Sequence, residues 1–366
     1  MASQAGAPEL EVRGPGYSAM LWSERNVLER QEEAAWIHRC SSVPLQQRSI
    51  WPSASEGEQW YLLDIIDEYF GRLNVGVRSY RMRSIPGASI LRVLKFGPGL
   101  PITSLPRVIQ VIREVANRMT GVVRLHIELC QVLAPETIAS VVSAAERQGF
   151  TRAIPREYEH TLLVPLAVGL GETPRFHRSV LKNARKTLRA GHQIQPINDE
   201  SFVARLDQLL EETMARGGGR VPSISTREVV RRTQENPQSF RLVGLFRDGV
   251  YTPSALMAFR WCGCAGDYAD DLLAASTRWS DSDGQVPMMH AIMLDIFAWA
   301  ETQGATVFDF GGVVLPDDPR AARLASISRF KELFFGRIEM VGVDLNYASR
   351  PILSAIGHAI SRVASR

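Results

Sequence analysis

The stretch VFDFGG, Val307 to Gly312, sets one carboxylate among phenylalanines and ends in two glycines, and SRFKELFFGR further on carries one lysine between phenylalanines. Such residues suit group transfer to an amine. That reaction needs a deprotonated nucleophile, an anchored donor and a positive group where the tetrahedral oxyanion develops. Lys331 can supply the positive charge, and a cation in a dry pocket acts far more strongly on a developing anion than one in water. The other reading puts Lys331 at the exposed edge of an amphipathic helix. Asp309 alternates with Phe308 and Phe310 on a strand and so points away from their face, toward the amine or the lysine. Capping the glycine turn that follows is its alternative role. Gly311 and Gly312 allow positive φ and close approach of backbone to a ligand.

A second candidate is the basic run RFHRSVLKNARKTLRAG. Arg178, Lys182, Arg185, Lys186 and Arg189 recur at spacings of three, four and seven and share one broad helix face. That face fits either a solvated surface or the phosphates of a tRNA, coenzyme or nucleotide. An acyl-CoA site calls for a Gly-rich loop at a helix N-terminus. The loop before the helix at Pro287, STRWSDSDGQVPMM, has one glycine among serines and aspartates, which favours tRNA over CoA. Cys262 and Cys264 lack zinc-knuckle spacing and a partner pair, so no metal is expected. His126 and Glu128 lie on one side of a strand and read as a core pair. There is no G-x-S-x-G nucleophile elbow.

The elements that must position these groups alternate between helical and strand-like segments. With 366 residues the chain exceeds one ordinary core, and a formal charge of +3 excludes a polycation while allowing a local basic site. No signal-peptide pattern and no apolar run of spanning length is present, so a cytoplasmic protein is expected. The first half reads as strands around GVRSYRMRSI, ASILRVLKFG, VVRLHIELC and HTLLVPLAV, with helices from LPRVIQVIREVANRMT and APETIASVVSAAERQG. A similar series follows GLGETP, which suggests an internal duplication. The expected division is a flexible or helical arm over 1–35, a first domain over 36–168 and a second over 169–366.

Phe308-Asp309-Phe310-Gly311-Gly312, then Phe330-Lys331 and Phe335-Gly336, resemble the C-terminal signature of the Fem family of aminoacyltransferases and related acyltransferases. LKNARKTLRAGHQI is similar to that family's basic helix, Val43–Trp51 to its N-terminal segment with Gln47 and Trp51, and Lys95–Pro101 to its first glycine-proline loop. The resemblance implies an α/β (α+β) fold of two tandem GNAT-like domains, the acyl-CoA N-acyltransferase fold, around a central cleft. It implies catalytic roles for Lys331 and Asp309, donor or phosphate binding by Arg178, Lys182, Arg185, Lys186, Arg189 and Phe330, and cleft lining by Gly311, Gly312, Trp51 and Gln47. It further implies an aminoacyl-tRNA donor, an amine acceptor and no cofactor, with an acyl-CoA donor or a catalytically silent ligand- or RNA-binding protein as alternatives. Bridge-building members often carry a lysine shortly after the tryptophan, whereas PSASEGEQW follows Trp51 here. A small specialised-metabolite amine therefore stands beside a cell-wall precursor as acceptor. The sequence sets no oligomeric state.

Overall fold

A computed structural model describes residues 7–40, 43–52, 57–82, 84–130, 135–153, 160–166, 176–217, 224–281, 284–315, 321–340 and 342–356. The chain opens with strands β1 (Leu10–Gly14) and β2 (Tyr17–Ser23), helices α1 (Glu24–Arg30) and α2 (Glu32–Arg39), and strands β3 (Gln59–Asp67), β4 (Gly71–Arg81) and β5 (Ser89–Phe96). Helix α3 (Leu105–Arg118), strand β6 (Val122–Leu129), helix α4 (Pro135–Arg147) and strand β7 (Thr151–Ala153) follow. The second series is β8 (His160–Pro165), α5 (Arg178–Arg189), β9 (Gln193–Pro196), α6 (Val203–Gly217), α7 (Thr226–Glu235), β10 (Phe240–Phe246), β11 (Leu256–Ala265) and β12 (Tyr268–Ser276). It ends with the short hairpin β13 (Ser280–Asp281) and β14 (Gly284–Gln285), then α8 (Met288–Thr302), β15 (Val307–Gly312), α9 (Ala321–Glu332), β16 (Arg337–Met340) and β17 (Val343–Tyr347).

These elements build two sheets. The first runs β1-β2-β3-β4-β5-β6-β17-β7 and the second β16-β8-β15-β12-β11-β10-β9. Both use one plan. An antiparallel meander ends in a strand that crosses over through a helix to a parallel neighbour, β5 to β6 through α3 and β12 to β15 through α8. Each of those neighbours then takes an antiparallel strand on its other side, β17 beside β6 and β8 beside β15.

The plan is completed by exchange. Strand β8, expected within the first domain, pairs in the second sheet, and β17, the last strand, returns to the first. The compact units are accordingly 1–51, 55–159 and 340–366 on one side, and 52–54 with His160–Glu339 on the other. This corrects the expected boundaries: the second unit begins before 169, and the end of the chain belongs to the first. The expected arm over 1–35 is corrected as well. Val12, Tyr17, Ala19 and Leu21 alternate inward on β1 and β2 and join the first core, so hydrophobic alternation outweighs the Gly, Ala and Pro content of the segment.

The first core fills the space between its sheet and α3. Val108, Ile109, Ile112 and Val115 recur at helical spacing and pack on Leu125, Ile127 and Leu129 of β6. In the second unit Ile292, Met293, Ile296 and Phe297 of α8 pack on Phe308 and Phe310 of β15. No helix among the described residues is long and apolar enough to cross a membrane.

Candidate active site

Strand β15 carries Asp309 between two fully buried phenylalanines, and Asp309 is itself 1% exposed. Its carboxylate receives three donors. Thr161 of β8 gives its hydroxyl to Oδ1, the Gly311 amide donates to Oδ1 at 2.7 Å, and the Tyr268 hydroxyl donates to Oδ2 at 2.5 Å. Gly311 has φ +70°, which turns its amide back onto the carboxylate and would strain any residue with a Cβ. The turn-capping role and the strand alternation expected from sequence thus coexist. Replacing Asp309 with Ala leaves the buried Gly311 amide and the Tyr268 hydroxyl without their acceptor, while the Thr161 hydroxyl keeps Gly311 O at 2.9 Å. The expected loss is about 3 kcal/mol of stability, read from urea unfolding midpoints.

Helix α9 answers why a lysine sits between phenylalanines. Phe330 and Phe334, one turn apart, enter an aromatic cluster with Phe297 and Phe310, at centroid distances of 4.9 to 6.4 Å. The helix is closed by Gly336, where a Cβ would come within 2.7 Å of Leu162 Cγ and Leu163 O, so only glycine lets β16 start against β8. With its neighbours so pinned, Lys331 is carried inward. It is 7% exposed, not at an exposed helix edge, and its Nζ donates to Gly312 O at 2.7 Å.

Burial is the main influence on Lys331 and pulls its pKa from 10.5 down to about 8; Asp271 and Asp309 pull it back up, and Arg260 pushes it further down. The ammonium uses one of three donors on Gly312 and stays protonated at neutral pH.

Arg260 of β11 and Asp271 of the neighbouring strand β12, which sits opposite Cys262, complete the charged group; sequence reasoning passed over both. Arg260 Nε lies 3.2 Å from Asp271 Oδ1, an ion pair whose N–H is not aligned as a hydrogen bond, with side-chain exposures of 7% and 11%. The guanidinium also meets Met293 Sδ and lies 5.8 Å from the Phe310 ring centre and 5.9 Å from that of Phe330. Burial raises the pKa of Asp271, against the pull of Arg260 and Lys331. The available signals were an arginine inside the apolar run LMAFRWCGCA and the acidic pair of YADDLL. Thr161, Tyr268 and His290 were missed as well. His290, on the first turn of α8, has its ring 5.2 Å from Phe330 and Nε2 3.3 Å from Asn183 Nδ2 of α5; burial lowers its pKa.

The basic residues lie elsewhere on the second unit. Arg178, Lys182, Arg185 and Arg189 are exposed on α5 and Lys186 is half-buried; all five line an open depression of about 600 Å³. The opposite side of α5 buries Val180, Ala184 and Thr187.

Gln47 and Trp51 stay within the first unit. Gln47 is 3% exposed, donates to Lys95 O at 3.0 Å and carries the carbonyl that receives Trp60 Nε1 at 2.8 Å. The buried Arg78 guanidinium donates to the carbonyls of Gln46, Arg48 and Trp51 and pairs with Glu58 at 2.6 Å, fixing the whole segment. Gln47 is thereby corrected from a lining residue to a buried structural one, because its amide serves main-chain partners. His126 is likewise enclosed, with Nδ1 2.8 Å from Asn346 Oδ1 and Nε2 3.4 Å from Asp344 Oδ2 and 3.6 Å from Glu128 Oε1. Cys262 and Cys264 are buried on β11, and among the described residues no group of three or more potential ligands could hold a metal. Residues 282–283 of the serine-aspartate loop lie outside the described residues.

Compared with solved structures, the chain superposes on the crystal structure of FemX with a TM-score of 0.69 at 13% identity, over 89% of this chain and 98% of FemX. The fold is that of FemX. The expected α/β architecture of two GNAT-like halves is therefore found. The FemX-like fold is shared with L-PGS from Bacillus licheniformis, at a TM-score of 0.53 and 15% identity over 92% of this chain and 97% of that one. A conserved protein of unknown function from Bacteroides thetaiotaomicron matches at 0.51 and 9% identity over 87% and 96%. No protein-family model and no curated protein matches the sequence.

Proposed function

We propose that this FemX-like chain is an N-acyltransferase that moves an aminoacyl group from aminoacyl-tRNA to an amine, forming an amide. The observation that carries the reading is the buried ammonium of Lys331, held against Gly312 beside Asp309, Asp271 and Arg260. In the proposed reaction the acceptor amine attacks the ester carbonyl of the donor, a C–N bond forms, and the C–O bond to the tRNA ribose breaks. Lys331 stabilises the oxyanion of the tetrahedral intermediate, and the proton released by the amine passes to the leaving hydroxyl. Asp309 acts through position: its three hydrogen bonds hold the glycine turn whose carbonyl fixes Lys331. Phe330 supports the lysine by packing.

The exposed basic face of α5 fits tRNA phosphates. Replacing Arg178, Lys182, Arg185 and Arg189 together by Ala is expected to weaken tRNA binding and to flatten the slope of log affinity against log salt by about 1 per residue that touches a phosphate. Filter binding over a salt series reads this out.

The reading is tested by giving the purified protein a pool of labelled aminoacyl-tRNAs or labelled acetyl-CoA, each with a panel of amines. The expected result is label transferred from tRNA into an RNase-resistant amide. Transfer from acetyl-CoA alone overturns the tRNA donor and supports the coenzyme reading, and silence with both while tRNA still binds supports the silent RNA-binding protein.

A further inference from the structure

One aromatic ring of the second unit is held outward in a costly conformation. Phe334 is fully buried, but Phe335 beside it is 50% exposed and has φ +38°. The left-handed region that closes a helix normally goes to glycine or asparagine, and a bulky residue there is rare. The ring stays out of the aromatic cluster that Phe330 and Phe334 enter. It meets instead His177, itself exposed, edge to face at 6.5 Å.

This ring stands at the head of the basic row. His177 caps α5, its Nδ1 accepting from the Ser179 amide at 3.3 Å, and its own amide donates to Leu333 O at 2.7 Å, which ties the start of α5 to the turn after Lys331. Arg178, Lys182, Arg185 and Arg189 then lead away from that turn over roughly 16 Å of a helix that carries no carboxylate. A stacked strand advances about 3.4 Å per nucleotide, so the row matches the phosphates of about four or five nucleotides.

Phosphates alone would suit a duplex or a single strand. An exposed ring serves only an unpaired base, because the base faces of a duplex are already stacked on one another. Position then selects the 3′ end. The ester to be broken lies on the terminal ribose, and Phe335 follows Lys331 by four residues, a span of at most about 14 Å.

We propose that Phe335 stacks on the unpaired 3′-terminal base of the donor while the α5 row holds the phosphates leading to it, an inference that rests on the aminoacyl-tRNA donor of the proposed function. The stack brings the ester to Lys331.

The test uses the full chain and two RNA hairpins with the same stem, one blunt and one with a four-nucleotide 3′ overhang that ends in the fluorescent base 2-aminopurine. The overhang hairpin is expected to bind about tenfold more tightly than the blunt one, with its fluorescence quenched by stacking. Phe335→Ala should remove that advantage and the quenching while the affinity for the blunt hairpin is unchanged. Phe335→Trp should keep both, because it restores an aromatic face. Equal affinity for the two hairpins, or an overhang affinity and quenching that survive Phe335→Ala, overturns the stack, and label transfer from tRNA by the parent then leaves the donor reading standing. Indifference to both hairpins together with Phe335-dependent binding of coenzyme A overturns the stack and the tRNA donor at once.

Discussion

Lys331→Met lowers the transfer rate by about 100- to 1,000-fold without lowering stability at neutral pH. The loss follows from removing a preorganised charge that faces the developing oxyanion, an interaction much weaker in the ground state. The stability follows from burial. In the folded protein the lysine titrates near pH 8, below its ordinary 10.5, so the native state resists the charge that the unfolded chain accepts freely. Between those two values the unfolded chain binds more protons than the native one, and wild-type stability therefore rises with pH across that window. The methionine variant lacks the rise. Urea unfolding of both proteins at several pH values from neutral to strongly alkaline reads the difference directly.

Activity has the opposite pH trend. The ratio of wild-type to Lys331→Met rate should be flat below about pH 7 and shrink toward one as the ammonium loses its proton above about pH 8. Taking the ratio cancels the rise in rate caused by deprotonation of the acceptor amine. Lys331→Arg tests the same point from the other side, because a guanidinium keeps its charge throughout the range. Any activity it retains should show no alkaline decline relative to the methionine variant. A rate ratio that does not change with pH would show that the charge of Lys331 plays no part.

What was legible in the sequence and what was not divide by range. The glycine pair, the carboxylate before it and the lysine on the returning helix are local patterns, since turn chemistry and strand alternation act within a few residues. So is the basic face of α5, which helical periodicity sets alone. The exchange of β8 and β17 is a matter of long-range pairing. HTLLVP and VDLNY read simply as strands, and nothing in either says which sheet will hydrogen-bond it. Gln47 shows the converse error. The resemblance of its segment to a ligand-lining one said nothing of Arg78, whose guanidinium gathers three carbonyls of that segment from a strand over 25 residues away. The pairing of Arg260 with Asp271 required the register of β11 on β12, which shifts between Trp261 and Cys262. Sequence spacing therefore gave the charges but no reason to join them.

Asp271→Leu is expected to destabilise the protein by about 3 kcal/mol or more, and pairing it with Arg260→Met should recover most of that loss. Removing the carboxylate alone leaves a guanidinium that cannot shed its proton among Phe310, Phe330 and Met293. Removing both charges replaces the pair with side chains that suit an apolar surrounding. A structural role predicts that the double variant is stable and active. A role in tuning the lysine predicts a stable protein with altered pH dependence, and the asymmetry of the cluster favours this outcome. After burial, Asp271 is the largest influence on Lys331 and holds its pKa up, whereas Arg260 pushes it down by a smaller amount. Deleting both therefore leaves Lys331 easier to deprotonate than in the parent. The alkaline decline in the rate ratio should move below pH 8, and even the stable double variant should lose activity at neutral pH. Recovery of stability together with an unshifted pH profile would make the pair a structural clamp, and failure to recover stability would place a further anion beside Arg260.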